Sequence, residues 1–405
     1  MTQAISKWFI LFMAIVLITL SQLNNNAYVS SFPILAIDFS TTYENIKLSL
    51  VLSTVFFGLS QLVYGFLSDK YGRRIVAISG LSIFMIATLS AAMAKQIDFF
   101  LLARIFQGIG IGCAGPVASA MTRDIASGKE LTKMFSYISL AIFITPVAGP
   151  LLGSYLQHYI GWQAIFYFIF LYTMIIWLLF IIKFLETNNK LSTMSFSLIG
   201  VRAHYLTIFK NKNFNRHLLM LIFLYTGELI YLMQLPILMQ VHLGYTVLAN
   251  GWIMIFTAAG MFTGSFLCSR LVDKMYKEKI FTLGTTLILC ASVTMFSFSI
   301  LKIFNIYVLV GPMMIYMVGS GMLFPNCIAG CLEPFTNSHG VASALMSGTL
   351  MFSAALLSLF AVFLPTNNQI ILASCLICTA ACFSFICYNH MKSRIENINI
   401  DYKLS

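Results

Sequence analysis

Charged side chains are scarce in this chain. Asp, Glu, Lys and Arg make up 9% of its 405 residues, and only 13 of them are acids. A water-soluble domain covers about a quarter or more of its surface with charge, and this sequence cannot. Hydrophobic residues reach 59%, more apolar surface than a soluble domain of this length can hide. The solvent for most of the chain must be lipid.

Other absences narrow the chemistry. Gly108-Ile109-Gly110-Ile111-Gly112 is glycine-rich, but it lies inside a helical run with no Gly-Lys-Ser/Thr to cradle phosphates. Nucleotide-driven work is excluded, no cofactor is expected, and the chain does not read as an enzyme. The nine cysteines sit mostly in apolar runs, so they read as small packing residues and not as a disulfide framework. Cys375-x-x-Cys378 has no second pair nearby, and none of the six histidines has metal-ligand spacing, so no metal is expected. The first apolar run continues past Ser21 to Pro33 without a small-residue cleavage site. It reads as a retained helix rather than a signal peptide.

What is present is a series of apolar runs, each about 20 residues long as a ~30 Å hydrocarbon core requires. Twelve spans are expected, near 8–36, 46–68, 75–94, 98–121, 132–156, 163–184, 217–241, 248–271, 279–302, 305–328, 340–363 and 368–389. The chain divides into a six-helix half at 1–184, a linker at 185–216, a second half at 217–389 and a tail at 390–405. Phe196–Phe209 in the linker reads equally as a helix lying on the membrane surface or as a solvated tether. Placing the N-terminus inside puts all but Lys47, Lys95, Lys302 and Arg104 of the 24 lysines and arginines in inner segments. Basic loops face the cytoplasm, so both termini should be cytoplasmic. The net charge of +11 is then a topological signature, and nucleic acid is not an expected partner. Membrane lipid is, and twelve spans suffice for a monomer.

The densest hydrophilic stretch is Gly65-Phe66-Leu67-Ser68-Asp69-Lys70-Tyr71-Gly72-Arg73-Arg74, between spans two and three. A weaker copy runs from Ser269 to Lys279. Asp69 and Asp273 are 204 residues apart, about half the chain, which points to internal duplication. Gly65 and Gly72 permit close approach and a tight turn. Asp69 can accept hydrogen bonds at a helix N-terminus, and Arg73 and Arg74 can pair with carboxylates or anionic lipid. The stretch resembles the signature loop of the major facilitator superfamily, whose fold is all-α and polytopic, with twelve transmembrane helices in two pseudo-symmetric halves. The resemblance implies that Gly65, Asp69, Gly72, Arg73 and Arg74 form a conformational latch between the halves on the inner side.

Further motifs narrow the likeness. Leu102-Ala103-Arg104-x-x-Gln107-Gly108 is similar to the family's second motif. Pro146-Val147-Ala148-Gly149-Pro150-Leu151-Leu152-Gly153 is similar to its antiporter motif, with Thr145 and Ser154 where glycines are usual. Pro146, Gly149, Pro150 and Gly153 would let this helix bend and pack closely. Together with Gly161-Trp162, Arg123-Asp124, Pro325-Asn326 and Gly340–Leu345, these resemble the Bcr/CflA group of drug–proton antiporters. That likeness implies a bacterial inner-membrane protein. One departure matters. The group's first helix usually carries an acid seven positions before its Pro; here the position is Asn26, and an amide takes up no proton.

One midspan acid remains. Glu228 lies ~17 Å into span seven at ~1.5 Å per residue, where a charge is costly and needs a reason. It either faces a watery cavity as a proton or cation site, or it is protonated and bonded to another helix. Arg104 is the matching base. By resemblance it lines the central cavity; alternatively its long side chain snorkels to the interface. The pocket is expected between the halves near the midplane. Its candidate liners are Asn25, Asn26, Tyr28, Gln61, Arg104, Gln107, Tyr225, Glu228, Tyr231 and Gln234. Aromatic faces and one acid suit a greasy, cationic ligand. The expected function is secondary transport: efflux of small amphipathic or cationic molecules in exchange for protons, of the multidrug type. Three other readings stay open: an exporter of one natural product such as a siderophore, a metabolite importer, and a non-transporting receptor on a transporter scaffold.

Overall fold

The structure is a computed structural model that describes residues 6–188, 205–335, 339–366 and 369–404. It is built from α-helix, as lipid demands: a helix satisfies its own backbone hydrogen bonds where water cannot. Among the described residues, twelve helical spans are long and apolar enough to cross a membrane. Spans one to six cover Lys7–Asp38, Tyr43–Tyr71, Arg73–Ala92, Ile97–Ile125, Gly128–Tyr159 and Gln163–Ile182. Spans seven to twelve cover Lys212–His242, Val247–Leu271, Lys277–Ile300, Ile306–Leu332, Gly340–Val362 and Gln369–His390. The last helix runs on to Leu404, through the segment expected as a tail. The expected surface helix at Phe196–Phe209 lies mostly outside the described residues; residues 205–209 are helical.

Three spans are interrupted where the sequence weakens them. Span one breaks after Asn26, passes through a short 3-10 turn at Val29–Ser31, and resumes at Phe32–Asp38 with Pro33 in its first turn, where its missing N–H costs least. Span four breaks at Gly112-Cys113. Span seven widens to a π-turn at Leu238–His242. Span five is helical throughout Gly128–Tyr159, with Pro146 and Pro150 inside it.

Duplication is visible in the packing. Span one lies against four, five and six; span two against four; span three against four and six. Six positions later the pattern repeats: seven against ten, eleven and twelve; eight against ten; nine against ten and twelve. The halves meet along two seams, two against eleven and five against eight. These are the pairs that a two-fold exchange of the halves would interchange.

Small residues set the crossings. A side chain on Gly108 would meet the Ser53 carbonyl of span two at 2.3 Å, and one on Gly153 would run into the Ala27 carbonyl at the break in span one. Ser154, where the family resemblance expects glycine, is accommodated from the other half: a side chain on Gly251 would stand 2.6 Å from the Ser154 hydroxyl. Gly108→Val should therefore wedge spans two and four apart and destabilise by about 1–3 kcal/mol or more, as overpacking does. Gly115→Ala, with nothing within 4 Å, should be neutral or slightly stabilising. Thermal loss of the monodisperse peak in detergent compares the two.

Candidate functional site

Two polar layers lie within the bundle, one in each half. The N-terminal layer is built around Arg104, whose side chain is wholly buried. Its Nη1 donates to Asn24 Oδ1 at 3.0 Å and to Gln107 Oε1 at 2.7 Å, and its Nη2 to the Asn24 carbonyl at 3.3 Å. The guanidinium carbon lies 4.2 Å from the centre of the Tyr28 ring, a cation–π contact. Gln107 in turn donates to Thr88 at 2.8 Å, and Asn24 to Asn25 at 3.0 Å and Ser53 at 3.4 Å. Tyr28 shares a hydrogen bond with Ser49 at 3.0 Å and packs on Phe32, Phe100 and Phe166. Among the described residues no carboxylate pairs with Arg104, and its Nε has no partner. One cation thus ties spans one to four through neutral dipoles.

This layer redistributes the residues expected to line a pocket. Successive helical residues point 100° apart, so Asn24, Asn25 and Asn26 face three ways. Asn24, which sequence reasoning passed over, holds Arg104. Asn26 bonds back to the Gln22 carbonyl of its own helix at 2.8 Å and lies beside Gly149. Tyr28, Asn25, Gln61 and Gln107 are buried among helices. The tyrosine is occupied as the lid of the guanidinium. The signal that would have found Asn24 is its place among the three polar residues, read against the Arg104 opposite it.

The C-terminal layer is centred on span seven. Glu228 and Tyr225 are half-buried, one helical turn apart. Glu228 makes no hydrogen bond or ion pair among the described residues. It lies within electrostatic reach of Tyr225 and of Tyr316 on span ten. Gly227 matters here: any side chain on it would meet the Tyr316 hydroxyl at 2.3 Å. Tyr231 and Gln234 are fully buried, and the Tyr231 hydroxyl and both Gln234 amide atoms have no hydrogen-bond partner among the described residues. A spacing of three turns each residue back by 60°. Tyr225 and Gln234 therefore sit on opposite sides of the helix, and the four residues do not form one face.

The charged loop between spans two and three forms a third constellation at the end of the molecule that carries the basic loops. Arg73 donates to Asp69, to Ser68 at 3.1 Å and to Asp124 of span four at 3.0 Å. Thr187 adds a hydrogen bond to Asp124 at 2.9 Å. Asp69 does not cap a helix N-terminus as expected. That task falls to Glu186, beyond span six, whose carboxylate accepts the backbone N–H of Arg73 at 2.9 Å and of Arg74 at 3.0 Å. The Arg74 side chain caps the other end of the same junction, donating to the Phe180 and Ile181 carbonyls. Gly72 sits at φ 94° with Glu186 where its side chain would be, so only glycine serves. These bonds bind spans two, three, four and six to one another inside the N-terminal half. Toward the other half, Gly65 faces Ala344 and Gly340 faces the Arg123 guanidinium.

Over residues 14–359 the chain matches the family model described as Major Facilitator Superfamily. It is 27% identical over 364 residues to multidrug resistance protein D of Escherichia coli (strain K12), across 89% of this chain and 90% of that protein. It is 22% identical over 373 residues to the bicyclomycin resistance protein homolog of Haemophilus influenzae (strain ATCC 51907 / DSM 11121 / KW20 / Rd), across 91% and 93%. Among solved structures, the crystal structure of a D-xylose-proton symporter superposes with a TM-score of 0.73 over 93% of this chain and 97% of that one. At 16% identity, that likeness concerns the fold alone.

The geometry around Arg73 ranks its acids. The side chain of Asp124 is 18% exposed and that of Asp69 is 59%. Asp124→Asn should cost about 1–3 kcal/mol by weakening charged hydrogen bonds at a buried guanidinium. Asp69→Asn should cost less than ~1 kcal/mol, as for an exposed pair. Thermal midpoints in detergent would show that order; the reverse order would contradict it.

Proposed function

The chain belongs to the major facilitator superfamily, and from that membership we propose that it exports amphipathic, cationic compounds in exchange for protons by alternating access. Its twelve apolar spans and its bacterial relatives make it a multi-pass transporter of the bacterial inner membrane. The basic end faces the cytoplasm in this reading, and both termini with it. The names of its relatives, multidrug resistance protein D and a bicyclomycin resistance protein homolog, support efflux of drug-like solutes.

Glu228 carries the reading. A midspan carboxylate is expensive, and this one is half-buried and unpaired among the described residues. With a proton it is neutral; without one it offers a countercharge to a cation. Proton and cationic substrate then compete for one site, which is the requirement for exchange. Tyr225 and Tyr316 beside it offer aromatic faces to the same cation. Tyr231 and Gln234 hold unsatisfied polar atoms next to this layer, available for hydrogen bonds when span seven rotates. Arg104 contributes a fixed positive charge to the N-terminal half, which leaves Glu228 as the proton carrier in place of the acid missing at Asn26. The latch around Arg73 keeps the inner ends of the N-terminal helices moving as one body.

The test is proton flux in liposomes with an internal pH dye, on addition of lipophilic cations. Wild type should give a substrate-triggered pH change, and Glu228→Gln should abolish it, at least tenfold, while the protein stays monodisperse. Substrate movement without a pH change would mean a uniporter or coupling to another ion. Arg104→Lys cannot reproduce the forked contacts to Asn24 and Gln107. It should lower thermal stability by about 1–3 kcal/mol as well as slowing transport, a combination that Glu228→Gln should not show.

A further inference from the structure

Lys47 is a base in the wrong place. It lies on span two at the end opposite the basic loops, about 6 Å inside the helix start, and its side chain is fully buried. Its ammonium reaches across to the other half and donates to the Leu364 carbonyl at 3.2 Å, just past the end of span eleven at Val362. Helix C-termini leave such carbonyls unpaired and carry negative partial charge. That carbonyl is its one hydrogen-bond acceptor among the described residues. Glu44, one turn earlier on the same helix, is within electrostatic reach but forms no ion pair, and Cys375 of span twelve is the other titratable group that faces it.

The same end of the molecule is closed by uncharged contacts from spans seven and eight to span one, beside the seam of spans five and eight. Gln240 donates to the Ser30 carbonyl at 2.8 Å, and Asn250 to the Ser30 hydroxyl at 3.0 Å. Gly251 rests against Ser154. The two sets of contacts differ in sign. The amide contacts exchange water for equivalent partners. Lys47 gives up the hydration of an ammonium with three N–H donors for one carbonyl, and a buried ammonium loses more in hydration than one such bond returns.

We infer that Lys47 is the spring of the far gate: closure buries its ammonium, opening rehydrates it, and this difference drives the gate open against the clasp formed by Ser30, Gln240 and Asn250. The base is tolerated outside because it is a moving part. The inference rests on alternating access, but its test needs neither a substrate nor a proton gradient, so the two can fail separately.

Cys375 is the reporter. Right-side-out membrane vesicles are treated with a membrane-impermeant maleimide, and modification of Cys375 is followed by peptide mass spectrometry. Lys47→Met, similar in length and uncharged, should slow labelling roughly tenfold by shifting the population toward the closed gate. It also removes an ammonium near the thiol, so Lys47→Met/Asn250→Ala is measured beside it. The double variant should regain the Asn250→Ala rate; a deficit that persists there would trace the slowing to lost thiol reactivity and overturn the inference. Lys47→Arg, which keeps the charge, should stay within about twofold of wild type. Asn250→Ala should speed labelling, and it also shows that a folded variant can report opening. Faster labelling in Lys47→Met would make the lysine a bolt, and unchanged labelling would make it packing; either overturns the inference. No labelling of Cys375 in any variant, Asn250→Ala included, would overturn the gate, while the alternating-access reading stands or falls on the proton-flux test.

Discussion

Inside a bilayer, a polar group has no water to fall back on, and every feature of this molecule answers to that constraint. It explains why the described spans are helical. It explains the many hydroxyls folded back onto the preceding turn, such as Thr54 on Leu50, Thr88 on Phe84 and Thr173 on Ile169. It also explains the enclosure of Arg104. A guanidinium that cannot reach water needs several acceptors, and no single helix can supply them. Asn24, Gln107 and the Tyr28 ring do so from two helices, while Thr88 and Ser53 orient the amides from two more. The polar layer of the N-terminal half is thus organised around the Arg104 charge.

The C-terminal half repeats the packing but not the charges. Its copy of the signature loop keeps Asp273, which is exposed and forms no ion pair among the described residues. Its midspan ionisable group is an acid, Glu228. One half therefore carries a buried cation held by neutral dipoles, and the other a half-buried carboxylate, the group that takes up the proton in the proposed function. A held charge on one side and a titratable one on the other suit a machine that couples ion movement to relative motion of its halves. The seams between them are lined by close approaches, Gly58 against Phe352 and Gly251 against Ser154, which allow two bodies to rock without large gaps.

The ends of the molecule show a similar division. At the basic end, charged bonds run within the N-terminal half and make its helix ends one unit. At the far end, hydrogen bonds run between the halves, from Lys47 to Leu364 and from Gln240 and Asn250 to Ser30. In the conformation described, the far side is the fastened one.

Composition and run length determined that this chain lives in a membrane and crosses it twelve times, and the charged loop repeated 204 residues on marked a doubled six-helix unit, because hydropathy and repeat spacing are read along the chain. The signature loop and the midspan acid were legible for the same reason: a charge in an apolar run is conspicuous wherever its helix points. The tertiary structure decided which way each residue faces. It gave Arg104 to Asn24 rather than to its neighbours, and made Tyr28 a lid for the guanidinium. It brought Glu186, distant in sequence, to the helix junction where Asp69 was expected, and it buried Lys47 at a seam between halves. A helix's rotation is set by what packs against it. Those partners lie up to 317 residues away, beyond the reach of any local pattern.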